Sequence, residues 1–461
     1  MQGLHDRIRT LEAELTAKQG SGLSAIRRSL VDPLSQDHGL LPPNRHFVEL
    51  FFHYGYPLLP VFHRISFMAR LEAQSQSLLY AMYALGLRFQ GATTAIDEPD
   101  HQHADEFYAL SRKMVDKELE NPTIATAQTL LILLIYAGST FLFESLCCIV
   151  AFDNFETWIL QTMCFRVVFL LGLNNPQVDP LALSPIDSEI RRRVWWHCYL
   201  FDRYSTAMST PAPPQILDTY SHVHMPMPEA QWESIGLDLK PLPPSSLFDP
   251  LCSYYTYAIS ISRIMAGIGD FITKEKSSNY RHDHDYDMLE RLLHSWYHGL
   301  PPQVQFPGEY FTLDWAGHEP HWFLNLIHMM YHCSFILLNK SRMICTLSEK
   351  PKLIRECKHF NIIYASARSM AQICRIVKAQ NPYFLYLSRF TIWCRYQAGL
   401  IFQILIQSQV LEATESVVVR SDLQEIIQTF IRESRHSPIT KLFVNKLQGK
   451  IERSSIGYYT S

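Results

Sequence analysis

The segment from Asp187 to Tyr204 holds the side chains of this sequence whose types and spacing could do chemistry, and it reads DSEIRRRVWWHCYLFDRY. Arg193 beside Trp195 and Trp196 predicts a ligand cleft, because aromatic walls with one fixed cation suit an anionic or planar ligand. Buried arginines can instead pair with carboxylates or carbonyls, and we favour this structural network. The candidates for either role are Glu189, Arg191, Arg192, Arg193, Trp195, Trp196, Asp202 and Arg203.

Histidines and carboxylates close together form the second kind of candidate. The run from His282 to Asp285 alternates His and Asp and could chelate a metal ion, but such a run beside lysines is typical of a solvated loop. The same interpretation applies to the pairs His101/His103 and His222/His224. The sequence has no H-E-x-x-H, G-x-S-x-G, Walker or G-x-G-x-x-G motif, so we assign no catalytic, metal or cofactor residues. A Cys/His pair assembled in space stays open.

One helix must position the first set of side chains. Asp187 can cap its N-terminus, and aromatic and charged residues on several faces predict that most of its circumference is buried. One apolar stripe follows at helical spacing, and it consists of Ile190, Val194, Cys198 and Phe201.

Long segments of helical periodicity fill the rest of the chain, whereas period-two strand patterns are nearly absent. We therefore predict an all-α protein, in which a proline-rich break at 210–249 could separate two lobes. The predicted helices span residues 44–54, 66–90, 103–119, 124–137, 155–172, 187–207, 250–273, 285–298, 320–345, 356–380, 383–411 and 421–433.

Composition excludes several classes of protein. The 461 residues carry a formal charge of −3 and 47% hydrophobic residues, which predicts a globular protein without a basic nucleic-acid surface. None of the ten cysteines forms a C-x-x-C pair, so local zinc clusters are excluded. The first twenty residues lack a secretory signal, and we expect reduced core cysteines. The apolar stretch 129–152 is interpreted as a buried helix plus an insertion, not as a membrane span.

The N-terminus carries a short heptad pattern. Leu4, Ile8, Leu11 and Leu15 follow the a/d spacing of a coiled coil over two heptads. Residues 1–18 are therefore either a dimerisation stub or an ordinary amphipathic helix frayed at its start. A polar linker, 19–43, follows.

The motif helix resembles the regulatory, middle-homology region of fungal transcription factors that bind DNA through a binuclear zinc cluster. The family's run E-x-R-R-R-x-W-W-x-x-y-x-x-D-R stands here from Glu189 to Arg203. Tracts at 51–67, 157–174, 292–302 and 326–341 are also similar to the family, so the resemblance covers about 44–341. It places the regulatory domain at 44–345 and leaves 346–461 as a C-terminal helical region that fits only by helicity.

Three departures from the family pattern stand out. Ser209, Thr210 and Pro211 replace the usual G-R-P. The run FLFESLCCIVAF at 141–152 replaces a short polar connection, and we interpret it as an insertion that is either real or intronic. The six-cysteine zinc cluster is absent from these residues, so zinc is implied only for a cluster upstream of them.

The resemblance implies a nuclear regulator of RNA polymerase II transcription that works without catalysis. We expect it to form a homo- or heterodimer through the coiled coil and to contact the transcription machinery and a small-molecule effector. We expect it to bind DNA only through the zinc cluster that these residues lack, and not to bind a membrane. Two alternatives stay open: a stand-alone competitor that heterodimerises with full-length relatives, and an α-helical metal-dependent enzyme that uses the histidine clusters.

Overall fold

The computed structural model describes residues 42–91, 99–140, 155–175, 183–208, 214–218, 223–228, 231–232, 235, 254–277, 282–302, 304–306, 321–380 and 388–449. Within these ranges the chain forms helices and no β-strand, which confirms the all-α prediction. All the helices belong to a compact unit from Arg45 to Ser461. The predicted coiled coil at 1–18 and the insertion at 141–152 lie outside the described residues.

The helices are labelled in chain order. The first part of the chain holds α1 (Arg45–Leu50), α2 (Arg64–Ala69), α3 (Gln76–Arg88), α4 (His101–Glu118), α5 (Ile124–Thr140), α6 (Phe155–Leu170) and α7 (Pro185–Met208). The second part holds α8 (Tyr254–Ser277), α9 (Asp283–His298), α10 (His321–Glu349), α11 (Lys358–Gln380), α12 (Arg389–Ser408), α13 (Ala413–Glu433) and α14 (Ile439–Gln448). Short helical turns lie at Phe51–Gly55, Tyr56–Leu58, Leu71–Ala73 and Pro351–Glu356.

Helix α3 is the buried helix of the first part. Twelve of its thirteen residues are buried, so neighbours must cover every face, and α1, α4 and α5 do so. Gly86 permits this close packing, because a Cβ atom there would lie 2.8 Å from the backbone nitrogen of Phe51. A predicted single helix at 66–90 is wrong: Ser75 is extended, and its side chain accepts a hydrogen bond from the Leu78 N–H, so a new helix starts there.

Helix α12 is the buried helix of the second part, as α3 is of the first. Its residues from Phe390 to Leu405 are all buried, and α10, α11, α13 and α14 pack around it. Arg395 on α12 makes a bidentate ion pair with Glu433 on α13, at 2.9 and 3.0 Å, and both side chains are fully buried. His436 follows α13 and donates through Nδ1 to the carbonyl of Arg88 on α3, 3.1 Å away, so the two parts are joined.

Other element boundaries differ modestly from the prediction. Helix α13 starts eight residues earlier than predicted, because Glu412 and Glu415 form a reciprocal capping box. Helix α14 was not predicted. The proposed domain boundary at 345 falls inside α10. The seven cysteines among the described residues are free thiols, as the sequence predicts.

Candidate functional site

Glu189 and Arg193 form a buried clamp on one face of α7. They lie one helical turn apart, are both fully buried, and are joined by a 2.9 Å bond from Arg193 Nε to Glu189 Oε1. The same carboxylate oxygen accepts the Met227 N–H at 2.9 Å, while Arg193 Nη2 donates to the Met227 carbonyl at 2.9 Å. Arg193 Nη1 also donates to the Pro60 carbonyl at 3.2 Å. The pair therefore fastens two distant backbone segments to α7.

The two tryptophans of the motif belong to the same packed region. Trp195 is fully buried and meets Phe169 of α6 edge to face, with 5.5 Å between ring centroids. Trp196 is also buried, and its indole N–H donates to the His224 carbonyl at 2.8 Å. Because buried indole N–H groups need an acceptor, this bond fixes the segment 223–228 against the helix.

Asp202 and Arg203 make a second clamp near the C-terminal end of α7. The Asp202 carboxylate accepts the backbone N–H groups of Gln215 and Ile216, each at 2.9 Å. Burial raises the pKa of Asp202, although these two donors and the Arg203 guanidinium oppose the rise. Arg203 pairs with Asp202 at 2.7 Å and donates to the Ile216 carbonyl at 2.8 Å. The chain that leaves α7 is thus tied back onto it.

A polar group outside the motif completes this second clamp. Asp218 accepts from Arg203 at 3.0 Å and from the Tyr199 hydroxyl. Burial alone would raise the pKa of Asp218, but these two contacts outweigh it and lower that pKa. Arg263 of α8 donates to the Tyr199 hydroxyl at 3.1 Å, so the clamp reaches a second helix.

The two remaining arginines of the motif have separate partners. Arg192 pairs with the second oxygen of Glu189. Arg191 donates to the Leu171 carbonyl at 2.8 Å, where α6 ends. Gly172 follows with φ of 65°, and the Leu173 N–H bonds the Val168 carbonyl at 3.0 Å, so the L-G-L tract is a left-handed helix stop. All eight motif residues therefore have internal partners, which supports the structural network.

A cavity lies further along α7, toward the C-terminal end of the stripe that begins with Arg193, and we call it the α7 cavity. Its volume is about 80 Å³, and it is partly open to solvent. The residues for which a ligand cleft was predicted, Arg193, Trp195 and Trp196, do not line this cavity. Its α7 wall follows helical spacing and consists of His197, Leu200, Phe201, Tyr204, Ser205 and Met208. Helices α5, α6, α10 and α12 supply most of the other walls.

His197 on this wall is held in one protonation state. Its Nε2 lies 3.0 Å from the Leu58 carbonyl, which can only accept, so Nε2 carries the proton. Its Nδ1 then accepts from the Tyr255 hydroxyl at 2.9 Å. Burial lowers the pKa of His197 to about 4. The imidazole is therefore neutral at physiological pH and has both nitrogens occupied.

Three polar side chains of the α7 cavity can meet a ligand. Tyr204 stacks on Phe390 at 4.1 Å between centroids, and its buried hydroxyl has no hydrogen-bond partner among the described residues. Gln161 accepts from the Ser205 hydroxyl at 2.6 Å through its carbonyl oxygen, and no described hydrogen bond uses its amide nitrogen. Arg389 is the third, and it is the cavity's one cation among the described lining residues.

The position of Arg389 depends on a glycine of the facing helix. A Cβ atom on Gly138 of α5 would lie 3.4 Å from Arg389 Cδ and 3.8 Å from Nη1, so the arginine side chain crosses the helix at this point. No carboxylate is found among the described residues that line the cavity. The described walls thus combine apolar and aromatic surface with one arginine.

The histidine clusters are engaged in other contacts. Asp285 pairs with Lys274 at 2.6 Å, and Asp283 pairs with Arg342 at 2.9 Å. His103 bonds Asp100 at 2.8 Å at the start of α4. His222 lies outside the described residues. Across the described ranges no group of three His, Cys, Asp or Glu side chains could hold a metal ion, and no helix there is long and apolar enough to cross a membrane.

Most of the α7 cavity was not foreseen from the sequence. His197 and Tyr204 stand within the motif segment, and their spacing of seven residues could have placed them on one face. Gln161, Gly138 and Arg389 come from three other helices and carry no sequence signal that joins them.

Comparison with curated proteins finds transcription regulators of fungi. An uncharacterized transcriptional regulatory protein of Schizosaccharomyces pombe is 23% identical over 71% of this chain and 36% of its own length. Nitrogen assimilation transcription factor nirA of Emericella nidulans is 24% identical over 72% of this chain and 37% of its own. A Zn(2)-C6 fungal-type transcription factor of Fusarium oxysporum f. sp. lycopersici is 29% identical over 35% of this chain and 18% of its own.

The chain thus spans little more than a third of the first two relatives' length. No solved structure matches it. The family model described as fungal specific transcription factor domain matches residues 48–298, which include the whole of α7 with both clamps. The match covers more than half of the 461 residues. The chain therefore belongs to the fungal specific transcription factor domain family.

Proposed function

We propose that this chain is the effector-responsive regulatory body of a nuclear transcription regulator that controls RNA polymerase II without catalysis. DNA binding is assigned to a zinc cluster outside these residues, since none of the ten cysteines has the spacing of such a cluster. Dimerisation is assigned to the stub with Leu4, Ile8, Leu11 and Leu15. The family match supports the transcriptional role, and the α7 cavity is the observation that carries the effector role.

Helix α7 offers a route from ligand to partner surfaces. Arg193 and Arg203 of this helix hold the backbone at Pro60, Met227 and Ile216. The stripe that continues from Arg193 lines the α7 cavity. A ligand that favours one arrangement of α7 also favours the matching arrangement of these segments, because binding shifts the population toward the state that binds it more tightly. Surfaces that contact the transcription machinery would then be masked or released.

A reporter assay tests this role. The 461-residue chain is fused to a heterologous DNA-binding domain in yeast, and reporter output is measured for the native chain and for Ile135→Phe, which adds volume to a half-buried cavity wall. We expect the native fusion to change reporter output and Ile135→Phe to alter that output by threefold or more at equal protein level. Met288→Phe, on an exposed site of α9, is the matched control. A native fusion with no effect on the reporter would contradict the proposal.

A further inference from the structure

A groove open to solvent runs along an exposed face of α11, and we call it the α11 groove. Its volume is about 500 Å³. Its described lining comes from one side of the helix and consists of Tyr364, Ala365, Arg368, Ser369, Gln372 and Arg375. At a rise of about 1.5 Å per residue, the first and last of these positions lie about 16 Å apart along the helix axis. The groove is therefore long and open.

One buried carboxylate positions both arginines of the α11 groove. Asp422 of α13 is only 1% exposed, and its two oxygens accept hydrogen bonds from different guanidiniums. Arg368 donates through Nε at 3.2 Å, and Arg375 donates through Nη2. Because two guanidiniums share one carboxylate, the three groups together carry one net positive charge. Asp422 thus makes the two cations converge in the wall of the groove.

Most hydrogen-bond donors of this wall are not used within the described part of the chain. Each guanidinium bonds Asp422 through one nitrogen, and no other hydrogen bond of Arg368 or Arg375 is made to a described residue. The same holds for the side chains of Tyr364, Ser369 and Gln372. No carboxylate is among the described lining residues. The α11 groove therefore offers several donors and positive charge, which is the chemistry that binds an oxyanion.

The convergence of the two guanidiniums favours a phosphate monoester. A phosphorylated side chain carries about −1.5 to −2 charges at neutral pH and three acceptor oxygens, so it can accept from both Arg368 and Arg375 at once. A single carboxylate has only two oxygens, and one carboxylate, that of Asp422, is already shared by the pair. Because the groove is open to water, any negative charge that the arginines do not balance stays solvated.

The open shape favours a phosphate that is carried on an extended segment. Small-molecule sites are concave and usually bury about 70–90% of the ligand, whereas the described lining of the α11 groove is a single helix face. At one end the Tyr364 ring stacks on Phe360, with 8° between the ring planes, and offers a flat surface beside the arginines. Arginine clusters are a recurrent means of phosphopeptide recognition.

We propose that the α11 groove binds a phosphorylated serine or threonine segment of a partner protein, with the phosphate on Arg368 and Arg375. This site goes beyond the effector role proposed above, and it does not depend on the α7 cavity, because the two share no lining residue.

Fluorescence anisotropy on the 461-residue protein tests the ligand class. The probe is a short labelled peptide of glycine and alanine with one central phosphoserine, compared with the same peptide carrying serine or glutamate. We expect the phosphopeptide to bind about tenfold more tightly than either. Arg368→Gln and Arg375→Gln should each remove most of this preference. Arg166→Gln, an exposed residue of α6, removes the same charge elsewhere and should change binding by less than about twofold.

A further variant keeps both arginines in place. Ser369→Glu puts a carboxylate into the groove wall beside them, so it should compete with the phosphate and abolish the preference for the phosphopeptide. Ser369 is only partly buried, and its hydroxyl makes no hydrogen bond to a described residue, so the fold should tolerate the change. Ser369→Ala is the matched control and should bind as the native chain does. Circular dichroism of each variant separates a lost site from a lost fold.

Several results would overturn the proposal: a serine peptide that binds as tightly as the phosphopeptide, a preference that survives both arginine substitutions, or unchanged binding by Ser369→Glu. Inorganic phosphate or glycerol phosphate that binds as tightly as the phosphopeptide would assign the groove to a small phosphorylated ligand instead. A short single-stranded oligodeoxythymidine that binds more tightly would assign it to nucleic acid. A silent reporter fusion, by contrast, contradicts only the effector role.

Discussion

Glu189 and Arg193 together bind both polar groups of one peptide residue. The carboxylate accepts the Met227 N–H and the guanidinium donates to the Met227 carbonyl, each at 2.9 Å, although 34 residues separate Arg193 from Met227. The guanidinium carbon also lies 4.9 Å from the ring centroid of Trp232, and an apolar cluster of Ile186, Met227 and Trp232 covers the contact. The low polarity of these surroundings strengthens the hydrogen bonds, and it increases the free-energy cost of leaving one partner unpaired.

Removal of the clamp arginine should therefore take away much of the protein's margin of stability. We expect Arg193→Met to lower the free energy of unfolding by about 3–5 kcal/mol, because Glu189 would stay buried without its main cation. Urea unfolding measures the change. The double variant with Glu189→Leu should lose less than the sum of the two single losses, whereas Arg420→Met should lose less than about 0.5 kcal/mol. Strictly additive losses would contradict the coupling.

Asp202 needs both of its oxygens as acceptors. In Asp202→Asn an amide group replaces one oxygen, so a donor would face the backbone N–H of Gln215 or Ile216. We expect a loss of about 2–3 kcal/mol in unfolding free energy and faster proteolytic cleavage at 214–218. Asp116→Asn on the exposed face of α4 is the control and should change neither. An Asp202→Asn protein with native stability would show that this clamp contributes little.

Replacement of glycine by alanine should have opposite effects on stability at Gly86 and at Gly267. Gly86→Ala places a methyl group 2.8 Å from the Phe51 backbone nitrogen, so we expect a net loss of about 1–3 kcal/mol despite the better helix propensity of alanine. At Gly267 on α8 the nearest atom would be Leu289 Cδ2 at 3.4 Å, an ordinary contact. Gly267→Ala should therefore be neutral or stabilising by up to about 1 kcal/mol. Thermal unfolding of both variants checks the pair.

Buried histidines predict acid sensitivity. Burial lowers the pKa of His197 and of His328 to about 4, below the value of about 6.5 for an unfolded histidine. Between these values the unfolded chain binds protons that the native protein does not, so stability falls as pH falls from 6.5 to 4. Each histidine should account for about 2 kcal/mol between pH 7.5 and pH 5.

Unfolding free energies from pH 7.5 to 4.5 measure this slope. His197→Gln should reduce the number of protons taken up on unfolding by about one, so the free energy of unfolding depends less on pH. We expect this change even if the substitution lowers stability at neutral pH. His284→Gln, an exposed histidine, should leave the slope unchanged. An identical pH profile for native protein and His197→Gln would contradict the assignment of a neutral buried imidazole.

The heptad stub predicts a dimer that depends on residues 1–18. Deletion of these residues should convert a dimer into a monomer by sedimentation equilibrium, because Leu4, Ile8, Leu11 and Leu15 supply its apolar seam. The double variant Ile8→Asn with Leu11→Asn tests the same seam in the full chain and should also yield a monomer. Exposed Arg64→Asn is the control. A dimer that survives the deletion would place self-association elsewhere.

Local periodicity predicted α7 closely: the expected helix at 187–207 is Pro185–Met208 in the structure. Its burial on several faces was also predictable, since Trp196, Tyr199 and Arg203 lie on the faces beside the stripe. The break at Ser75 was not, because the apolar period continues across it and only the cap distinguishes one helix from two. The α7 cavity was not predictable either, since Gly138 and Arg389 meet only after α5 and α12 pack.

The bond from His436 to the carbonyl of Arg88 spans 348 positions of the chain. During synthesis, α3 emerges from the ribosome long before its partner exists, and at about 5–20 residues per second the wait lasts tens of seconds. The apolar faces of α3 pack against α1, α4 and α5, which are synthesised close to it, so it is the Arg88 carbonyl that waits for its partner. Contacts between such distant positions also slow folding, because the long loop must close before any contact rewards it. The connection between the two parts of the chain can therefore form only near the end of synthesis.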